Sequence, residues 1–200
     1  MYGKYKGSYF GNYLEAVNYA DYAFGEFIKQ LKQEGLYEDT AILVFGDHNG
    51  MTMYDEEMLD FLNTINQEKL TDVDIKLNYA RVACGFKIPG VCHMKLEKPV
   101  SKLDIKPTLT YLCGIEDGFS LGTNMFESKK FVSLNNERIM ADKYYFDEKW
   151  YNILTGNAVD MQDIDEKTKK ELEEYYNYMK TELEISNSIS INDLLKKDEQ

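Results

Sequence analysis

Residues 42–50 read ILVFGDHNG. Four apolar residues run without a break into Gly46-Asp47-His48, and Thr40 and Ala41 lead into the run, so Thr40–Phe45 reads as a strand. Successive residues of a strand point to opposite faces, so an unbroken apolar run has two apolar faces. That pattern suits a central strand of a parallel sheet covered on both sides. Asp47 and His48 then fall just past its carboxyl end, the edge where open α/β sheets bind ligands. Gly46 and Gly50 flank the pair and allow tight backbone turns.

Working outward, the residues before this strand predict a helix. From Tyr13 to Lys32 the positions Leu14, Val17, Ala20, Phe24, Phe27, Ile28 and Leu31 recur every three or four residues and form one apolar stripe. Gly35 suits the cap just past its end, and YEDT (37–40) turns the chain into the strand. Helix, short loop and buried strand together predict an α/β layered fold.

Beyond the strand, Tyr54–Gln67 predicts a second helix with Met58, Phe61, Leu62 and Ile65 on its apolar side. ARVACGFKIPG (80–90) predicts a strand closed by Pro89-Gly90. VSKLDIKPTLTYLCGI (100–115) predicts a loop entering a helix near Asp104–Pro107, with Gly114 closing it. KKFVSLNNERIMADKYYF (129–146) predicts a hairpin turning at Asn135-Asn136, and EKWYNILTGNAVD (148–160) a strand or loop with a turn at Thr155-Gly156. From Asp163 the chain becomes a charged helix with Leu172, Tyr175, Tyr176, Met179 and Leu183 on one side. The expected organisation is a body of residues 1–160 and a helical tail of residues 161–200, without internal repeats.

Composition narrows the function classes. The chain has 200 residues, 44% of them hydrophobic and 14% aromatic, enough for a folded core. Its formal net charge of -12 argues against a nucleic-acid backbone as partner, because phosphate binding needs clustered Lys and Arg. A small anionic substrate held through a metal remains compatible with that charge. Cys84, Cys92 and Cys113 are odd in number and lack CxxC spacing, so they define neither a zinc site nor a disulfide framework. Cys84 and Cys113 read as small core residues, and a Cys84–Cys92 bridge stays open. No apolar stretch has the ~18–20 residues of a membrane span, and the amino-terminal residues show no signal-peptide core.

The candidate chemistry centres on Asp47-His48. Carboxylate and imidazole are good ligands for Mn²⁺ or Zn²⁺. The plain alternative is a loop aspartate bonded to backbone amides beside a surface histidine. One Asp and one His fall short of the ~4 ligands an ion site needs, so further ligands come from elsewhere. His93, after the Pro-Gly turn, is a candidate ligand or phosphate contact, or a solvent-facing histidine. Arg81 is a candidate anion contact, or a structural residue at a strand start. Asp104 reads as an N-cap-like residue with an active-site role as the alternative. Thr52 lies close to the pair, but nothing marks a base for it. Gly-rich phosphate loop, GxSxG and HExxH patterns are absent.

The longer pattern YLEAVNYADYAFGEFIKQLKQEGLYEDTAILVFGDHNG (13–50) resembles the lipoteichoic acid synthase and phosphoglycerol transferase family. That family belongs to the sulfatase branch of the alkaline phosphatase superfamily. IPGV (88–91), SKLDIKPTLTYLCGI (101–115) and ERIMADKYYF (137–146) follow in the family's order, and ELEISNSISINDLL (182–195) resembles its carboxyl-terminal end. The resemblance implies part of an alkaline-phosphatase-like α/β/α layered sheet, with a small β-hairpin region and an appended helix.

It also implies that Asp47 and His48 are ligands of one divalent ion, Mn²⁺ foremost. Arg81 and His93 become substrate-binding candidates. A glutamate ligand and a nucleophilic threonine belong to a region of the family upstream of Met1. The implied substrate is a phosphate or sulfate ester such as a phosphoglycerol lipid. The family is membrane-anchored with an extracellular catalytic domain, so the implied partner of this chain is the first half of that domain. Two other readings remain: a non-catalytic product of a split gene, and a hydrolase using Asp47, His48 and His93 around one ion. If first-half strands are lacking, the strand at 40–45 should leave unpaired backbone and exposed apolar surface.

Overall fold

The computed structural model describes residues 3–50, 55–116, 118–127, 129–134 and 137–195. The chain divides into two compact units, Met1–His93 and Met94–Gln200.

In the first unit the leading element is helix α1, Tyr9–Gln33. It starts a turn earlier than the apolar stripe predicts because Ser8 caps it: the Gly11 amide donates to Ser8 Oγ at 3.1 Å. Gly11 is required there, since a Cβ would stand 1.9 Å from the Tyr5 carbonyl oxygen. At the other end Gly35 adopts φ +71° and the Leu36 amide returns to the Leu31 carbonyl at 2.9 Å, the expected glycine-terminated end. Phe10 is buried at the first turn, packed edge-on to Tyr5 and tilted against Phe61.

Helix α2 spans Glu56–Asn66, capped by Asp55, whose Oδ1 accepts from the Met58 amide at 2.9 Å. The expected start at Tyr54 lies outside the described residues. A short helix α3, Asp72–Asp74, is closed at its start by a Thr71/Asp74 capping box and runs on as a π-helical turn, Ile75–Tyr79. Val73, Ile75 and Leu77 bury one face of it. No apolar period in the sequence anticipated this element.

Strand β1 is Ile42–Phe45, and here the expectation is corrected. Among the described residues it pairs only with β2, Cys84–Lys87, and antiparallel, with Ile42 opposite Lys87 and Phe45 opposite Cys84. It is not buried on both faces either: Val44 and Phe45 are 42% and 46% exposed. An unbroken apolar run reports that both faces are apolar; it carries no information on which neighbours cover them. Lys87 ties the entry to β1 by donating to the carbonyls of Tyr37, Glu38 and Thr40 with its ammonium 4.6 Å from the Tyr37 ring centre.

The cysteine expectation is also corrected. All three thiols are free and exposed, and no Cys84–Cys92 bridge forms. Cys84 sits on the open β1–β2 pair and Cys113 on the last turn of helix α4, so neither reaches a core.

The second unit begins at a buried turn. Ser101 caps a 3-10 turn, Lys102–Asp104, which leads into α4, Ile105–Cys113. Pro107 sits in the first turn of α4 and Gly114 closes it at φ +65°. A four-stranded antiparallel meander follows: β3 Phe131–Leu134, β4 Arg138–Ala141, β5 Tyr144–Asp147 and β6 Lys149–Asn152. The expected hairpin is its first pair, with Phe131 opposite Ala141; the turn residues Asn135 and Asn136 lie outside the described residues.

Helix α5, Glu166–Asn192, is capped by Asp165 and lies on this sheet. Its Leu172 and Met179 join Ile139, Ala141, Trp150 and Ile164 in one core. Tyr175 stacks on Phe131 at 4.5 Å and Tyr176 meets Phe146 edge-on at 4.9 Å. The tyrosine-rich stretch is packing, as its spacing suggests. No helix of the described residues is long and apolar enough to cross a membrane.

Candidate metal centre

Asp47 and His48 sit one residue beyond the first amide past β1. The Gly46 amide still bonds the Ala83 carbonyl at 3.0 Å, so the β1–β2 ladder runs up to the pair. Gly46 is needed in that place: a Cβ would stand 2.7 Å from Cβ of Val82. Gly50, on the far side, faces the Tyr13 ring of α1, whose hydroxyl would lie 2.2 Å from an added Cβ. The pair is therefore flanked by a close approach at Gly46 that only glycine permits and by a Tyr13 ring packed on Gly50. Both side chains are open to solvent, at 82% for Asp47 and 74% for His48.

The local hydrogen bonds orient the two groups. The His48 amide donates to Asp47 Oδ1 at 3.0 Å. His48 Nδ1 lies 2.8 Å from the Asn49 carbonyl oxygen. A carbonyl only accepts, so Nδ1 carries a proton, and in the neutral ring Nε2 then carries the lone pair. A carbonyl bonded to Nδ1 in this way orients an imidazole so that Nε2 can bind a metal. Nε2 stands 3.8 Å from Asp47 Oδ2. Two ligands each bonded at ~2.0–2.2 Å to one ion can be at most ~4.4 Å apart. The pair fits a shared divalent ion. It does not complete one: among the described residues no three of His, Cys, Asp and Glu come together as a metal-holding group.

The other predicted residues fall as follows. Arg81 precedes β2, on the end of the ladder that carries Asp47 and His48, because Val82 and Ala83 already lie beside Gly46. Its Nε donates to the Asn78 carbonyl at 3.4 Å. His93 is exposed beyond the Pro89-Gly90 turn, and among the described residues it forms no three-ligand group with Asp47 and His48. Thr52 lies outside the described residues.

Asp104 is 1% exposed and structural. Its Oδ2 accepts from the Ser101 amide at 2.9 Å, its Oδ1 from the Thr123 amide at 3.0 Å, and Lys129 pairs with it. The capping reading of Asp104 holds, with Ser101 as the cap residue proper and Asp104 as its reciprocal partner. The SKLD spacing (101–104) was the available signal for this.

A family profile described as Sulfatase matches residues 2–115. The chain belongs to the sulfatase family. All four predicted site residues, Asp47, His48, Arg81 and His93, fall inside the matched segment. Sulfatases are generally metal-dependent, and the described α/β elements are those of a partial alkaline-phosphatase-like fold.

Among similar proteins, lipoteichoic acid synthase 2 of Bacillus subtilis (strain 168) is 27% identical over 97% of this chain and 29% of its own length. Lipoteichoic acid synthase-like YvgJ of the same strain is 31% identical over 92% of this chain and 30% of its own length. Lipoteichoic acid synthase of Staphylococcus aureus (strain USA300) is 28% identical over 92% of this chain and 28% of its own length. The chain thus spans less than a third of the length of each of these relatives.

Proposed function

We propose that this chain supplies part of the active site of a sulfatase-like phosphoglycerol transferase, a metal-dependent enzyme that transfers or hydrolyses phosphate or sulfate esters. Asp47 and His48 are two of the ligands of one divalent ion, Mn²⁺ in this reading. The ion when bound neutralises charge on the ester and favours the deprotonated nucleophile. Asp47 contributes a carboxylate oxygen and the negative charge that binds the cation. His48 contributes Nε2, held in the ligating tautomer by the Asn49 carbonyl. Arg81, on the same end of the β1–β2 ladder, meets the anionic ester as an oriented cation, and His93 is a second contact for it.

The remaining glutamate ligand and the threonine nucleophile lie in preceding sequence, as does a membrane anchor that places the domain outside the cell. Residues 1–160 belong to the catalytic domain and 161–200 form its helical tail. The substrate is a phosphoglycerol lipid or a related ester.

The observation that carries this reading is the 3.8 Å separation of His48 Nε2 and Asp47 Oδ2 at the end of β1. Family membership and the length of the relatives support it. The test is turnover of a phosphoglycerol-headed lipid by the longer protein that contains this chain. Asp47→Ala and His48→Ala should each lower it about 100-fold or more, since a metal supplies several kcal/mol of charge stabilisation. Unchanged turnover in both variants would sink the assignment and favour a non-catalytic role for the chain.

A further inference from the structure

The loop that carries Asp47 and His48 has a contact that the metal reading does not use. Tyr13, in the second turn of α1, is half-buried, and its ring lies against Gly50. A Cβ added at Gly50 would stand 2.2 Å from the Tyr13 hydroxyl oxygen, 2.5 Å from Cε2 and 2.6 Å from Cζ. Gly50 does not adopt a left-handed φ, so the turn itself accepts any residue. What calls for glycine there is the ring.

The contact reaches His48 through one peptide group. The carbonyl that lies 2.8 Å from His48 Nδ1 is that of Asn49, and it belongs to the peptide that joins Asn49 to Gly50. A peptide group is planar, so this carbonyl turns away only if the backbone angles on either side of it change. The ring on Gly50 confines one side. At the far end of the loop the Gly46 amide is fixed to the Ala83 carbonyl at 3.0 Å. His48 itself is 74% exposed, so water competes for Nδ1 and the bond to Asn49 depends on where the carbonyl is held.

We propose that Tyr13 is a positioning residue for His48: its ring, seated on Gly50, holds the Asn49–Gly50 peptide so that His48 keeps its proton on Nδ1 and presents Nε2. A neutral imidazole in water exchanges between two tautomers, and the one protonated on Nε2 has no lone pair there for a metal. Loosening the peptide therefore shifts His48 toward the form that cannot ligate through Nε2. The contact runs through Cε2 and Cζ as well as the hydroxyl, so phenylalanine retains most of it and alanine none. The value of the device to catalysis rests on the reading of His48 as a metal ligand, whereas the tautomer is a property of the metal-free chain.

The test is the His48 tautomer in the 200-residue chain itself, read from the nitrogen chemical shifts of the ring by NMR in alkaline solution, where imidazoles are neutral. His93, exposed in the same unit, is the comparator. In the unchanged chain the Nδ1-protonated form of His48 should dominate. Tyr13→Ala should shift the tautomer ratio about 5-fold toward the Nε2-protonated form, the effect of one lost hydrogen bond, and Tyr13→Phe should restore it. Gly50→Ala unseats the ring and should shift the ratio as Tyr13→Ala does. In the double variant it should add nothing further, because the ring it displaces is gone; two independent effects would add. Circular dichroism checks the fold of each variant, and if Tyr13→Ala fails to fold, Gly50→Ala against Tyr13→Phe decides. An Nε2-protonated His48 in the unchanged chain, an unchanged ratio in the folded Tyr13→Ala or Gly50→Ala chain, or additive effects in the double variant would each overturn the proposal. Broadening of the His48 ring signals by Mn²⁺, recorded on the same samples, decides the ligand reading separately: its absence would count against the metal centre whatever the tautomer result.

Discussion

The chain has two long helices of nearly equal length, 25 residues in α1 and 27 in α5. α1 carries the continuous apolar stripe and reads as a core helix; α5 is crowded with Glu and Lys and reads as an appended helix that packs through one side. The structure buries α5 more fully than α1. α5 buries Leu172 and Met179 completely against the meander and stacks two tyrosines on it. α1 buries only Phe10 and Gly11 at its first turn and leaves Val17, Phe24 and Phe27 40–49% exposed. An amphipathic stripe marks a face whose burial is favourable; the covering surface belongs to whatever chain supplies it. Strand β1 repeats the lesson, with Val44 and Phe45 open to solvent. The inner face of α5 is covered by the meander, although Tyr111, Ile115, Leu154 and Ile191 of the same unit stay exposed, whereas α1 and β1 leave their apolar faces open to solvent.

The contrast can be broken by mutation, beginning where the effect is largest. Met179→Ala should destabilise the second unit by about 2–5 kcal/mol in urea denaturation, because its cavity has no solvent to fill it. Asp104→Ala should cost about 3 kcal/mol in the same assay, since it removes two amide acceptors and strands Lys129. Ser8→Ala should remove the α1 cap for about 1 kcal/mol. Phe24→Ala should change the stability of the isolated chain by less than about 0.5 kcal/mol, as expected for an exposed site. A Phe24→Ala cost as large as that of Met179→Ala would mean that α1 is covered as well as α5, and the comparison would fail.

The smallest effect is in pH. The Thr168 amide and hydroxyl hold the Asp165 carboxyl below its ordinary range. Its folded pKa is therefore lower than its unfolded one. The cap contributes fully above the unfolded value and is lost as pH falls through the folded value. Thermal melts should show α5 losing this contribution below about pH 4, and Asp165→Asn, which caps without titrating, should flatten the slope. Glu182 runs the other way. Burial raises its folded pKa, so the stability it lends is full below the unfolded value and is lost as pH rises through the folded one.

Much of the element order was legible. Period and punctuation place α1, α2, β2, α4, the β3–β4 hairpin and α5 near their observed positions, because capping residues and glycine turns act locally. Gly35 and Gly114 are read from their own neighbourhoods, whereas the Ser8 and Asp55 caps emerged only from the structure. The direction and burial of β1 were not legible, since pairing partners and cover are long-range properties that an apolar run does not encode. The four-stranded meander was legible only as one hairpin, since its later turns at Asp142-Lys143 and Glu148 carry no glycine. For the site, Asp47 and His48 stood out through their place after an apolar strand. The orientation of His48 did not, because it depends on the Asn49 carbonyl. Tyr13 gave no signal at all: among the aromatic residues of α1 nothing distinguishes the one seated on Gly50.

The most direct test of the proposed metal centre is Mn²⁺ binding followed by electron paramagnetic resonance, on this chain alone and on a longer protein of the proposed kind, in which the glutamate and threonine of the site precede it. Weak binding is expected to the chain alone, where Asp47 and His48 are the two ligands proposed among the described residues. The account predicts one tight ion in the longer protein, lost in Asp47→Ala and His48→Ala. A tight ion in the longer protein that survives both substitutions would contradict it.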